Sequence, residues 1–130
     1  MDTETIARFL VTAFFAVVFL QSALDKLTDS AGNLEFLAGH FKNSPFPENL
    51  VRQMFWVLTG LEALAGGLCG LGVLFFSYTR EGWNLASLGI AVGGLAMLAL
   101  IIGQRFAKDY AGAAVVAAYF AVALIGLAFF

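Results

Sequence analysis

The residue of this sequence with the most unusual chemical position is a carboxylate inside an apolar run. Glu62 stands in "LTGLEALAGG", within the run that begins at Met54. At the rise of an α-helix its carboxyl group is expected about 12 Å inside the apolar segment. A charged side chain at the centre of a membrane helix costs about 2.5–3.5 kcal/mol. Glu62 is therefore expected to face other helices, either in a hydrogen bond that fixes their packing or in a polar ligand pocket.

A second group of charges lies where the first apolar run ends. The stretch "SALDKLTD" places Asp25 directly before Lys26. Gln21 precedes Asp25 by four residues, so the two share a helix face, and Ser22 and Lys26 do the same. The charges are typical either of a stop signal at the membrane surface or of the rim of a pocket whose floor is Glu62.

The third apolar run ends in "GQRFAKDY", which brings further polar groups to the same end of the molecule. Asp25–Arg105 and Lys26–Asp109 are available ion pairs there, and snorkelling of these charges to the lipid headgroups is the alternative. Tyr119 has a depth similar to that of Glu62. We therefore predict a ligand-binding site formed by Gln21, Asp25, Lys26, Glu62, Gln104, Arg105, Asp109 and Tyr119.

Composition identifies the class of protein. The chain has 130 residues, of which 61% are hydrophobic and 12% are charged. A soluble domain has about 45–50% apolar and about 25% charged residues, so this chain is predicted to be an integral membrane protein. Its net charge of −2 offers no basic surface for nucleic acid. One histidine, His40, and one cysteine, Cys69, exclude a bis-histidine haem, a histidine-rich metal cluster and an internal disulfide.

Four apolar segments are long enough to span a bilayer, which needs about 20 residues per helix. They cover residues 5–26, 54–76, 83–103 and 110–130. The first exceeds the h-region of a signal peptide and is interpreted as a retained membrane helix. Short connections make the last three helices antiparallel neighbours. The chain is thus predicted to be one all-α domain, an antiparallel bundle of four transmembrane helices.

The long connection 27–53 carries a helical pattern of its own. Leu34, Leu37, Ala38 and Phe41 follow the spacing of one helix face, and Asp29 or Ser30 is a suitable N-cap. This predicts a short amphipathic helix on the membrane surface or over the end of the bundle.

The distribution of Lys and Arg predicts an orientation. Five basic residues lie on the side of the long connection and two on the other: Lys26, Lys42, Arg52, Arg105 and Lys108 against Arg8 and Arg80. The long connection and the turn between the third and fourth helices are therefore expected in the cytoplasm, with both termini outside.

Small residues predict where helices approach closely. Gly66 and Gly70 continue the face of Glu62, Gly67 forms a Gly-Gly pair, and Gly89 and Gly93 make a similar pair on the third helix. Such faces let membrane helices pack within a bundle, in a homodimer or against a partner protein.

Three stretches resemble the DoxX family of small membrane proteins: "FLQSALDKLTD", "SPFPENLVRQMFWVLTGLEALAGGLCGLGVLF" and "GQRFAKDYAGAAVVAAYFAVALIGLAF". The resemblance covers nearly the whole chain. It implies a compact four-helix bundle in the bacterial cytoplasmic membrane, and it makes Lys26, Glu62, Gly66, Gly67 and Asp109 family-like positions. Members of that family are linked to thiosulfate and quinone oxidoreduction, while others are assembly factors or cargo receptors.

Three functions agree with these features. The first is binding of a lipophilic small molecule such as a quinone, as part of a membrane redox system, with Glu62 and Tyr119 able to supply a proton and a hydrogen bond. The second is a non-enzymatic accessory or assembly subunit for a partner membrane protein. The third is a small proton-coupled transporter with Glu62 as the carrier. A stand-alone enzyme is not expected, although an oxidoreductase subunit is; the pattern identifies no catalytic residue and predicts no metal site.

Overall fold

The computed structural model describes residues 2–75 and 80–130, which form helices connected by short turns. The helices are α1 (Thr3–Thr28), α2 (Ser30–His40), α3 (Glu48–Phe75), α4 (Arg80–Phe106) and α5 (Tyr110–Leu127). All except α2 have the length and apolar composition needed to cross a membrane. The four-helix membrane bundle and the short helix in the long connection are thus confirmed. The predicted end of the second span at Phe76 lies outside the described residues.

Two aspartates cap the first helices of the chain. The side chain of Asp2 accepts a hydrogen bond from the Thr5 amide at 2.8 Å, and hydrogen bonding to the side chain and then to the amide of Thr5 holds the pKa of Asp2 below its ordinary value. Asp29 ends α1 and its side chain also accepts from the Gly32 amide at 3.3 Å, which starts α2. Because one residue ends α1 and caps α2, the chain turns sharply where it leaves α1.

The four long helices form a ring in the order α1, α3, α4, α5. Helix α3 packs against α1 and α4, α4 packs against α5, and α5 also touches α1. Neighbours in this ring are antiparallel. Across its centre α1 reaches α4, where Phe19 lies against Gly93. The core cluster includes Phe15, Phe19, Ala65, Cys69, Ile90, Met97 and Ala123.

Glycines set the closest approaches of α3. A Cβ atom on Gly66 would lie 2.8 Å from the backbone nitrogen of Leu20, so α1 can lie here only against a glycine. A Cβ on Gly89 of α4 would lie 2.8 Å from the backbone nitrogen of Cys69. By contrast, a Cβ on Gly67 would meet no described atom within 4 Å, and one on Gly70 would make an ordinary contact of 3.7 Å.

The connection from α2 to α3 lies against the end of α4. Phe41 is buried and faces Gly103, and the ring of Phe46 lies 5.0 Å from that of Phe106. Leu34 and Leu37 are half-buried, whereas Phe36 is exposed, so the apolar side of α2 is only partly covered. We call this end of the bundle, formed by the end of α1, the 27–53 connection and the 104–109 turn, the mouth.

The turn from α4 to α5 at the mouth is tight and uses one unusual backbone conformation. Lys108 has φ of 60°, in the left-handed region that non-glycine residues seldom adopt. Asp109 then caps α5, because its side chain accepts from the Gly112 amide at 2.9 Å. The two helices are thereby held antiparallel with few connecting residues.

Candidate functional site

The buried carboxylate is held by two side chains of α1. Glu62 on α3 is 2% exposed, and its Oε2 accepts a hydrogen bond from Ser22 Oγ at 2.9 Å. The same oxygen forms an ion pair with Lys26 Nζ at 3.0 Å, and Nζ also donates to Ser22 Oγ at 2.9 Å. Ser22, Lys26 and Glu62 therefore form a closed polar triangle between α1 and α3, which we call the triad.

Local sequence explains how the triad assembles. Ser22 and Lys26 are one helical turn apart and so point to the same side of α1. Gly66 follows Glu62 by one turn on α3 and admits the backbone of Leu20 at close range. Because α1 lies so near α3 at this level, the short side chain of Ser22 reaches the carboxylate directly.

The two members of the ion pair differ in burial, and Lys26 is the more exposed of the two. The side chain of Glu62 is 3% exposed, whereas that of Lys26 is 17% exposed. Taking two charges out of water is costly unless each is paired and hydrogen-bonded, and the triad satisfies this condition for Glu62 Oε2. Lys26 connects the buried acid to the mouth, because its ammonium carries a further N–H beyond those used on Ser22 and Glu62.

The two helices that hold the carboxylate place it at different distances from their ends at the mouth. Glu62 is level with Ser22, which is about 9 Å from the end of α1 at Thr28. The same carboxylate is about 21 Å from the start of α3 at Glu48. Helix α3 therefore extends well beyond α1, and α2 packs against this extension where Val51 is buried.

Three of the predicted site residues lie away from the triad. Gln21 and Asp25 are exposed on the outer side of α1, although each is adjacent in sequence to a triad residue. The ring of Tyr119 is stacked on Phe14, with 6.0 Å between centroids, on the side of the bundle where α5 meets α1. The structure therefore does not bring these side chains to Glu62.

The remaining predicted residues form a separate group at the mouth. Asp109 Oδ2 lies 3.6 Å from His40 Nε2, an ion pair when the imidazole is protonated. The guanidinium of Arg105 lies over the ring of Tyr110 at 4.6 Å. Gln104 Oε1 is buried without a hydrogen-bond partner among the described residues.

The ion pairs in the structure differ from the two available from sequence. Lys26 pairs with Glu62 and not with Asp109, and Asp109 faces His40. Sequence reasoning left both Ser22 and His40 out of the site. The helix face that Ser22 shares with Lys26 was the signal that identifies the serine, whereas nothing in the spacing of His40 indicated its partner.

Two hollows lined by described residues lie away from the triad. One of about 310 Å³ lies between α1 and α5, and a much smaller one of about 20 Å³ lies between α2 and α3. Among the described residues no group of three His, Cys, Asp or Glu side chains is placed to hold a metal ion. The triad is thus a closed polar contact whose outward-facing member is Lys26.

The chain matches no protein-family model, no curated protein and no solved structure. Four-helix bundles carry many unrelated functions, so the architecture alone does not select one. A functional assignment for this membrane protein therefore depends on the chemistry of its own polar groups.

Proposed function

We propose that this protein binds a lipophilic small molecule with a hydrogen-bond-accepting head group, such as a quinone, at the mouth of the bundle. The observation that carries the proposal is the position of Lys26, which holds the buried Glu62 and still reaches the mouth with 17% of its side chain exposed. A carbonyl oxygen at the mouth can accept the further N–H of this ammonium. The bundle would present the head group to a membrane redox system and would not carry out redox chemistry alone.

Glu62 has a defined part in this proposal. A lysine without a counter-charge would be costly one turn inside the mouth of a membrane bundle. Glu62 and Ser22 hold the ammonium in one position, so its remaining N–H is oriented before a ligand arrives. The resemblance of Lys26 and Glu62 to family-like positions of the DoxX proteins, some of which are linked to quinone oxidoreduction, supports the same conclusion.

Quinone titration of the purified, delipidated protein tests the proposal. Lys26→Met should weaken binding of a short-chain ubiquinone by about tenfold, the loss that one charge-assisted hydrogen bond of about 1.5 kcal/mol implies. Lys42→Met is the matched control, because Lys42 is an exposed lysine of the same end. Lys26→Met combined with Glu62→Leu, which removes the contact without leaving an unpaired buried carboxylate, distinguishes loss of the contact from loss of folding. Equal affinity of the wild type and Lys26→Met, or no binding by either, would contradict the proposal.

A specific observation favours a second function, that of an accessory subunit held against another membrane helix. Gly60 and Gly67 lie on the outer side of α3, and a Cβ on either would meet no described atom within 4 Å. Glycines facing outward let a helix of a partner or of a second copy approach closely. Gly67→Leu should therefore block assembly without unfolding the bundle, whereas Gly39→Leu on α2, equally unobstructed, should assemble normally.

Other glycines that the sequence indicated as packing positions are unsuited to this test. Gly66 and Gly93 both face the interior, Gly66 against α1 and Gly93 against Phe19. Leucine at either position would disturb the bundle itself, so a loss of assembly would not report on an outer surface. An unchanged oligomeric or complex state in Gly67→Leu would contradict the accessory role.

A further inference from the structure

A groove that shares no residue with the triad lies toward the opposite end of the bundle, between α1 and α5. The groove of about 310 Å³ between them is lined by apolar side chains, among them Leu10 and Phe14 of α1 and Ile125 and Phe129 of α5. Leu10 and Ile125 are strongly exposed, so the groove opens to the outside of the bundle. The shape is that of an open trough on the lipid-facing side.

The floor and inner end of this groove are closed by direct contacts. At the floor, Gly126 lies so close to Val11 that a Cβ on the glycine would be 2.7 Å from its Cγ2. At the inner end, the ring of Phe14 stacks on that of Tyr119. An occupant therefore enters from the bilayer and lies along the groove without passing between the helices.

The outer end of the groove carries a cation. Arg8 Nε donates a hydrogen bond to the carbonyl oxygen of Phe129, which itself lines the groove. The guanidinium lies 4.5 Å from the centroid of the Trp83 ring, and Nη2 is 3.5 Å from Glu4 Oε2. The side chain of Arg8 is 16% exposed, so α1, α4 and α5 hold it in place while part of it stays accessible.

The level of Arg8 in the membrane follows from the triad at the other end. Arg8 and Lys26 are both on α1, and their positions are about 27 Å apart along its axis. The hydrocarbon core of a bilayer is about 30 Å thick, so a helix that places Lys26 at one headgroup layer places Arg8 at the other. Trp83 beside Arg8 fits the aromatic belt at the same interface.

We propose that the groove holds an acyl chain of one membrane glycerophospholipid, whose phosphate is bound by Arg8. A guanidinium matches the geometry of phosphate oxygens, and this one carries more N–H donors than its contacts with Phe129 and Glu4 use. The ion pair of Arg8 with Glu4 competes only weakly with a bound phosphate, because the Glu4 side chain is 70% exposed. The apolar lining of the groove matches the acyl chain of a phospholipid, and the adjacent guanidinium of Arg8 at headgroup level matches its phosphate.

This inference does not depend on the proposed quinone site, which lies at the other end of α1. It is tested by native mass spectrometry of the protein released from mild detergent after incubation with dioleoylphosphatidylglycerol or with dioleoylglycerol. The two lipids have the same chains and differ in the phosphate headgroup. One phosphatidylglycerol should be retained per chain, and dioleoylglycerol should be lost at much lower collision energy.

Variants separate the headgroup contact from the chain contact. Arg8→Met should lower retention of phosphatidylglycerol by about tenfold and leave the weak retention of dioleoylglycerol unchanged. Ala7→Phe fills the groove without changing Arg8 and should displace both lipids. Leu24→Phe is the matched control, because Leu24 is exposed on α1 outside the groove and should retain the phospholipid.

Three outcomes would overturn the inference. Equal retention of the two lipids by the wild type would show that the groove takes any chain and that Arg8 contributes nothing. Retention unaffected by Ala7→Phe would show that the phospholipid binds elsewhere. Glycerol phosphate added in excess should not displace the phospholipid, and displacement would mean that Arg8 binds phosphate without the chain.

Discussion

Removing the lysine of the triad should destabilise the protein strongly, and removing the pair should not. In Lys26→Met, Glu62 keeps one hydrogen bond from Ser22 and loses its only ion pair among the described residues. Breaking a buried ion pair by removing one partner costs about 3–5 kcal/mol. We expect the lower end, about 3 kcal/mol, because Ser22 still donates to the carboxylate.

The double variant provides the internal comparison. Replacing both members of a buried pair by apolar residues is neutral or stabilising by about 1–4 kcal/mol in soluble proteins. Lys26→Met combined with Glu62→Leu should therefore recover most of the stability that Lys26→Met alone loses. A recovery of stability in the double variant shows that the single variant loses stability through the unpaired charge of Glu62. If Lys26→Met acted through lost packing, the second substitution would lower the stability further.

Equilibrium unfolding by SDS in mixed micelles measures these free energies. The control is Lys42→Met, an exposed position at the same end that should change stability by less than about 0.5 kcal/mol. The reasoning is refuted by a Lys26→Met variant as stable as this control. It is equally refuted by a double variant that is no more stable than Lys26→Met, because the cost would then not arise from the charge of Glu62.

Three further predictions follow from the bundle and its caps. Gly66→Leu should lower stability by more than about 3 kcal/mol in the same unfolding assay, because its side chain meets α1 backbone, whereas Gly67→Leu should fold normally. Lys108→Gly should raise stability by about 1 kcal/mol, since glycine adopts the left-handed conformation without the steric cost. Because the pKa of Asp2 is lowered in the folded protein, its N-cap stabilises the fold fully at pH values above the ordinary carboxyl pKa. This stabilisation is lost as the pH falls through the lowered pKa. Hydrogen exchange in the first turn of α1 should show this acid dependence, and Asp2→Asn should remove it.

Hydropathy predicted the membrane spans well but not the true ends of the helices. The second span was placed from Met54, where the polar residues end, whereas α3 begins at Glu48, directly after Pro47. Hydropathy indicates which residues can be surrounded by lipid. It does not indicate where a helix ends, because a helix continues for as long as its backbone hydrogen bonds are made. The first residues of α3, before Met54, pack against α2. Because they are polar, hydropathy did not include them in the helix.

The sequence predicted that Lys26 and Glu62 belong to a polar site, but it did not predict that they pair with each other. Asp25 and Lys26 are adjacent, and adjacent helical residues point about 100° apart, so only one of them can face α3. Sequence alone does not select which one. The rotation of α1 about its own axis decides the pairing, and the buried Phe19 and Ala23 show that the face continued by Lys26 is the one turned inward. Gln21 lies on the side of Asp25 and therefore also points away from Glu62.

The two partly exposed cations of α1 together explain how the helix is fixed along its axis. Arg8 binds the ends of α4 and α5, and Lys26 binds Glu62 on α3, with the apolar packing of Phe15 and Phe19 between them. Apolar packing alone tolerates sliding, since one Leu or Phe can replace another against lipid. A shift of α1 by one turn, about 5.4 Å, would draw one cation into the hydrocarbon and pull the other from its partner. The same two residues are therefore expected to fix the axial position of the helix.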